Sequence, residues 1–576
     1  MKTHLTTTVR VSREGEPRSQ QSKHVSSVLC GILIFGMIFG GFAESASATN
    51  LVSDGSEFQV NTYTNNYQES PNTSSNVSGN TVVVWGSHGQ DGDIKGVFGQ
   101  RYDVLGNPLG LEFQVNTTTS GYQIYPDVAL DLSGNALVVW QTENVDGDMA
   151  AIAGQRYDVF GNAVGSEFQI NTYTNGEQGR PVVAMNSGGN SIVVWTSGGQ
   201  DGSDSGIFGQ RYDALGNLDG PEFQVNTFTN NNQNDPALAM NSGGSSVVVW
   251  TSSDQDGDDD GIFGQRYDAL GNPNGPEFQV NTFTNAFQSS PDVAMDDMGN
   301  SLVVWSSLGQ DGSSYGIFGQ RYDPLGNPVG VEFQVNTATD LAQVSAEVAM
   351  DSLGNSLVVW QSSHNEGFDI FGQLYDSFGN SVGSEFQAST WNGTQTSPAV
   401  AMHDTGALVV WNSLDQDGSL GGVFGQRYSS NESPVCNLAQ AQPAALWSND
   451  HAFNLINIDG VSDPDGDAVT ITVNEIYQDE RVNASGSGGT SPDGRGVGTN
   501  AAEVRAEYVL GGNGRHYRIN FTADDHQGGT CFGMAFVRVM KNKFDWDWII
   551  YDSTVSPYLD IPTQTLDLSA QRIDLR

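Results

Sequence analysis

The tryptophans constrain this chain more than any other feature. Trp85, Trp140, Trp195, Trp250, Trp305, Trp360 and Trp411 are spaced by 55 residues five times and then by 51. Each sits in the same cassette, clearest over residues 277–322. That copy reads EFQVNT, a polar loop, PDVAMDDMGNSLVVWSS and then QDGSSYGIFGQRYD. A fixed period of this size is the mark of a repeat architecture. Within the cassette, residues 277–282 alternate as a strand should, and residues 292–295 form a second strand after Pro291. Residues 301–306 are a continuous β-branched run, as in a strand buried on both faces, and residues 316–323 form a fourth. Met298-Gly299-Asn300 and Leu325-Gly326-Asn327 supply tight hairpin turns. No segment has a helical period. Seven repeats of four strands over residues 51–428 predict an all-β chain built on a seven-bladed β-propeller.

A ring of blades must close. If the turn after GQRYD centres on Gly106 and Asn107, Arg101 stands opposite Glu112. The same register pairs Arg156 with Glu167, Arg211 with Glu222, Arg266 with Glu277 and Arg321 with Glu332. Facing opposite charges stabilise by about 0.2–1 kcal/mol each. Leu374 opposite Glu385 breaks the series. Glu57 and Arg427 are left without partners, and they would meet if the first EFQVN strand closed the last blade from outside. An arginine set on a propeller is similar to the cluster with which sialidases grip a carboxylate. Here six of the seven arginines share one repeat position with a structural partner and read as scaffold, and Arg180 stands apart. The tryptophans likewise read as packing between blades.

Alternate connections emerge on opposite faces. The Gly-Asn hairpins make one face short and uniform, and the longer, variable loops crowd the other, where binding sites evolve. Six residues after each tryptophan stands an acid followed by glycine: Asp91, Asp146, Asp201, Asp256, Asp311, Glu366 and Asp417. The ring of carboxylates is either a cation-attracting mouth or turn chemistry, since Asp-Gly favours tight loops. The run Asp254, Asp256, Asp258, Asp259 and Asp260 is a candidate calcium site, alternating oxygen ligands around a glycine. The other loop supplies Tyr63, Tyr67, Tyr122, Tyr125, Tyr173, Phe228, Phe283, Phe287 and Trp391 among amides. These aromatics either stack on a glycan or peptide ligand or cap the blade ends.

With 67 acidic against 23 basic residues and a net charge of -44, the chain repels nucleic acid and anionic lipid. A basic leader, an apolar run over residues 25–42 and Ala46-Ser47-Ala48 read as a signal peptide over residues 1–48, the alternative being a retained anchor. No later segment is long and apolar enough to span a bilayer, so the mature chain is expected to be secreted or displayed at the cell surface, monomeric and not inserted in the membrane. In that oxidising setting Cys436 and Cys531 form one disulfide.

Residues 429–434 read as a linker and residues 542–576 as a tail. Between them, residues 435–541 contain short irregular strands that suit an Ig-like sandwich. DPDGD (Asp463, Asp465, Asp467) and TADDHQGGT resemble cadherin-like and Ig-like modules of bacterial surface proteins, which implies calcium at those acids. The repeats as a whole resemble bacterial secreted proteins with tandem EFQVN…VVVW…GQRYD units. That resemblance implies an exported propeller and leaves the ligand open. The leading expectation is a calcium-stabilised, non-enzymatic binding or adhesion protein recognising a glycan or extracellular protein. A carbohydrate-active hydrolase or lyase is the alternative, and a structural spacer a third. An enzyme needs repeat-breaking residues near the axis, and the breaks visible in sequence supply no catalytic set.

Overall fold

The computed structural model describes residues 50–143, 147–364, 367–447, 451–479, 492–507 and 514–540, with the short strand Tyr558–Leu559. Among these residues there is no helix. The signal-peptide reading, Asp146, Glu366 and most of the tail lie outside them.

Seven antiparallel four-stranded sheets form the propeller, and their inner strands adjoin one another in cyclic order. In the fifth blade the order from the axis outwards is Gln288–Met295, Ser301–Leu308, Tyr315–Tyr322 and Pro328–Gln334. The inner strand does not begin after Pro291 but runs through it. Its register moves from Ser289 opposite Ser306 to Asp292 opposite Val304, and Ser290 adopts φ 51° in the left-handed region. Proline has no N–H to donate, so a bulge is where a strand tolerates it. The β-branched second strand is buried on both faces, as its composition requires. All seven tryptophans are fully buried, each packed among residues of two adjacent blades.

The ring closes as the charge pattern implied, by a different set of contacts. Strand Asn50–Gln59 pairs with Gly422–Asn431 as the outer strand of the seventh blade. The Arg–Glu pairing, however, does not form. In the fifth blade Arg321 faces Val329, because a bulge separates the pair Gly319–Phe333 from the pair Arg321–Val329. The glutamates turn instead to the neighbouring blade. Glu112 Oε2 accepts from the Thr62 N–H at 2.5 Å and the Thr62 hydroxyl at 2.9 Å. Glu167, Glu222, Glu277, Glu332 and Glu385 make the same links to Thr117, Thr172, Thr227, Thr282 and Thr337. Glu57 completes the circle on Thr390, at 2.8 and 2.9 Å.

The arginines brace the opposite face. Arg211, Arg321 and Arg427 donate to the turn carbonyls of Leu270, Ser377 and Leu105 in the next blade, at 3.0, 2.9 and 3.1 Å. Arg427 thus faces Asp54 across the closing strand pair, not Glu57, with the nearest side-chain approach 3.6 Å. Leu374 occupies the arginine position of the sixth blade. The seventh blade has no outer hairpin turn to receive an arginine, and Leu374 packs in the apolar cluster that includes Leu51.

The third strand of the seventh blade continues to Asn431, through the first half of the stretch read as a linker. Beyond it, two sheets share one core that includes Ile456, Val473, Tyr517, Phe521 and Val537. Cys436 and Cys531 are bonded, with Cα atoms 5.9 Å apart. Asp525 accepts from the Asn431 amide at 3.0 Å, and Asp465 accepts from the Glu432 N–H, so acids of this unit hold the chain where it leaves the propeller.

Candidate functional site at the propeller axis

The bulge in every inner strand turns one non-glycine residue into the left-handed region: Ser70, Tyr125, Arg180, Asp235, Ser290, Ser345 and Ser397, with φ between 50° and 54°. With the prolines that follow in six blades, and Ala346 in the other, they line an axial cavity of about 330 Å³. The inner strands start on the variable face, so this collar belongs to that mouth. Four of its variable residues are serines. The other three lie on consecutive blades and touch: Arg180 pairs with Asp235 at 2.6 Å and lies over the Tyr125 ring at 5.4 Å. Arg180 is therefore part of a constellation after all, built with an aromatic and an acid rather than with other arginines.

The next repeat position faces the same channel and departs from the repeat more sharply. It holds Asn72, Val182, Ala237 and Ala399 in four blades, and Asp127, Asp292 and Glu347 in the others. Asp127 Oδ2 accepts from the Val183 N–H at 2.6 Å, and Asp292 Oδ2 from the Val348 N–H at 2.7 Å, so each ties its blade to the next. Burial pushes Asp127 up to about 7 despite those N–H donors, and Asp292 up to about 6. Burial, then the charges of Asp292 and Asp127, raise Glu347 well above the usual carboxylate range. Carboxyls crowded in one channel disfavour each other's ionisation, so the three titrate as a group.

A second repeat-breaking cluster lies on the first blade of the same face. Lys95, the one lysine of the repeats, is buried against Glu69, which His88 also reaches at 3.1 Å. Burial raises Glu69, but the Lys95 and His88 contacts outweigh it and hold the carboxyl below its ordinary range.

The residues singled out from sequence fall around this mouth in three groups. Tyr125 is in the collar. Tyr67, Tyr122, Phe287 and Trp391 are exposed in the loops leading to the inner strands, at about 37–42%. Tyr63, Tyr173, Phe228 and Phe283 are half-buried, and the backbone carbonyl of each accepts from the side-chain amide of the preceding EFQVN or EFQIN asparagine. The described acids of the acid-glycine series sit in turns. Asp91, Asp201, Asp256, Asp311 and Asp417 each accept from the N–H two residues on, at 2.9–3.3 Å. In the run 254–260, Asp254 is held by Asn231, Asp258 by the Ala286 N–H and Asp260 by the Ser253 hydroxyl. Asp463 accepts from the Asp465 and Asp467 N–H groups. Among the described residues no three His, Cys, Asp or Glu side chains stand close enough together to hold a metal ion.

No family model matches the chain, and no curated protein does. Solved structures resemble it at the level of the all-β propeller. One is a protein of unknown function from Dyadobacter fermentans, at 10% identity and a TM-score of 0.41, covering 66% of this chain and 99% of that one. Another is an α-L-arabinofuranosidase from Fusarium graminearum, at 13% identity and 0.38, covering 53% and 92%. A third is the β-propeller domain of the trilobed protease from Pyrococcus furiosus, at 10% and 0.38, covering 63% and 94%.

Proposed function

We propose that the protein is a carbohydrate-active propeller, a hydrolase or lyase whose site is the axial mouth of the variable face. One observation carries the reading. At a single repeat position, where four blades carry Asn, Val or Ala, three carry acids that converge on the channel, where burial holds all three above the usual carboxylate range. A carboxyl kept protonated at neutral pH beside an ionised one is the equipment for acid–base cleavage of a glycosidic bond. Glu347 takes the role of proton donor, because Asp127 and Asp292 are occupied with backbone N–H groups of the next blade. Tyr125 offers a stacking face, and Arg180 with Asp235 offers donors and acceptors for sugar hydroxyls.

The test is a reducing-end assay of the full chain on arabinan, xylan, mannan, chitosan, alginate and hyaluronan, repeated with Glu347→Gln. Turnover that falls at least a hundredfold in the variant, with binding retained, is the expected result. Binding by both proteins without turnover would favour the non-enzymatic adhesion reading instead. The exposed loop aromatics Tyr67, Tyr122, Phe287 and Trp391 speak for that second reading.

The same proposal makes the chain a secreted or surface-displayed monomer whose two-sheet C-terminal unit is an Ig-like presentation module. The disulfide suits that location, and no described helix is long and apolar enough to cross a membrane. Cell fractionation and gel filtration check these two points. Calcium enters only as a stiffener of the acidic loops at 254–260 and 463–467, and a melting-temperature titration with calcium and then EDTA decides it.

A further inference from the structure

We infer that the axial site accepts the end of a glycan chain, one or two sugar units entering along the propeller axis, and so acts in the exo mode. This rests on the carbohydrate-active reading and adds how the substrate is presented. The three channel acids lie one residue beyond the collar prolines and Ala346, so they are about 3 Å further along the strands than the rim. The collar around them is continuous, one residue pair from each of seven blades, with no missing blade through which a chain could lie across the floor. It is also stiff. Six of its seven pairs contain proline, and the inner strands on either side of the bulge are hydrogen-bonded into their sheets. The cavity of about 330 Å³ is at the low end for a small-molecule site, about 300–1,000 Å³. That volume suits one or two sugar rings at the collar, and the channel beyond it, about 380 Å³, is lined by the inner strands and reached only along the axis.

The collar is also lopsided, which gives a terminal sugar an orientation. Tyr125, Arg180 and Asp235 form one wall, half exposed and linked to one another, and serines form the rest. A ring stacked on Tyr125 would present adjacent hydroxyls to the Arg180–Asp235 pair, while its glycosidic oxygen points past Ala346 towards Glu347. An internal residue of a polymer carries chain on both sides, and the closed collar offers no lateral cleft in which both could lie.

The experiment follows product size and viscosity together, with the full chain acting on the six polysaccharides named above. Exo action predicts only mono- and disaccharides from the first time point, with viscosity nearly unchanged after a tenth of the bonds counted by reducing ends are cut. Products of mixed length with an early collapse in viscosity would overturn the inference while leaving the carbohydrate-active reading in place. No cleavage of any of the six overturns both. Arg180→Ala and Tyr125→Ala test the wall. Each should raise KM at least tenfold with a smaller change in kcat and the same product size, whereas a merely structural role would lower the melting temperature without moving KM.

Discussion

Glu347, Asp292 and Asp127 are titratable groups held in a narrow channel, and their effect on stability has a definite sign. Each is raised above its unfolded value, so the folded chain keeps protons that the unfolded chain releases. Their contribution is fully favourable below about pH 4 and declines as pH rises through about 6 to 7, where Asp292 and Asp127 ionise in the folded state. Glu347→Gln removes the most strongly raised of the three. We expect the variant to melt higher than the parent at pH 7.5 and equally at pH 4.5, as measured by calorimetry at both values. The tryptophans make the opposite point, since function does not enter. Their indole N–H groups find no acceptor among the described residues. Trp305→Ala should therefore cost about 3–5 kcal/mol for lost packing alone. Trp305→Phe should cost clearly less in urea denaturation, because no hydrogen bond goes with the change.

At the scale of strands and turns, the bulges decide what the sequence could reveal. The period, the four strands and the closing strand were legible, because they follow from apolar spacing and Gly-Asn turns. The Arg–Glu register was not. A glycine with positive φ before each outer EFQ segment, Gly330 in the fifth blade at φ 77°, inserts extra residues and slides Glu332 away from Arg321. The axial acids were hidden for a similar reason. PDVAL, PVVAM and PALAM differ visibly at Asp127, Val182 and Ala237, but which position faces the channel depends on the bulge at Tyr125, Arg180 and Asp235 just before them. Leu374 tests the brace logic directly. Arg211→Ala, which removes a hydrogen bond to the next turn, should cost about 1 kcal/mol. Leu374→Arg, placing a guanidinium where no turn carbonyl waits and the site is apolar, should destabilise by more than about 2 kcal/mol, read from the urea midpoint.

For the whole molecule, the propeller and the two-sheet unit have separate cores, and only the second depends on a covalent link. The disulfide spans 95 residues, so reduction should cost that unit about 2–5 kcal/mol. Calorimetry with reductant should show one transition shifting down while the propeller transition stays in place. The charge pattern predicted the right closure for the wrong reason: Glu57 and Arg427 both help to complete the ring, on opposite faces and with different partners.

The closing strand also fixes the order of events when the chain folds. Asn50 pairs with Asn431, so the earliest described strand of the propeller to be synthesised is the last to find its neighbour. Six blades can assemble locally as they appear, each from hairpins of short sequence separation. The seventh must wait with one edge open until nearly four hundred residues have followed, at the slow, high-contact-order end of folding. During that interval the unpaired edge of Gly422–Asn431 is a template for any extended segment nearby, including the first strand of another molecule, so yield on refolding should fall as protein concentration rises.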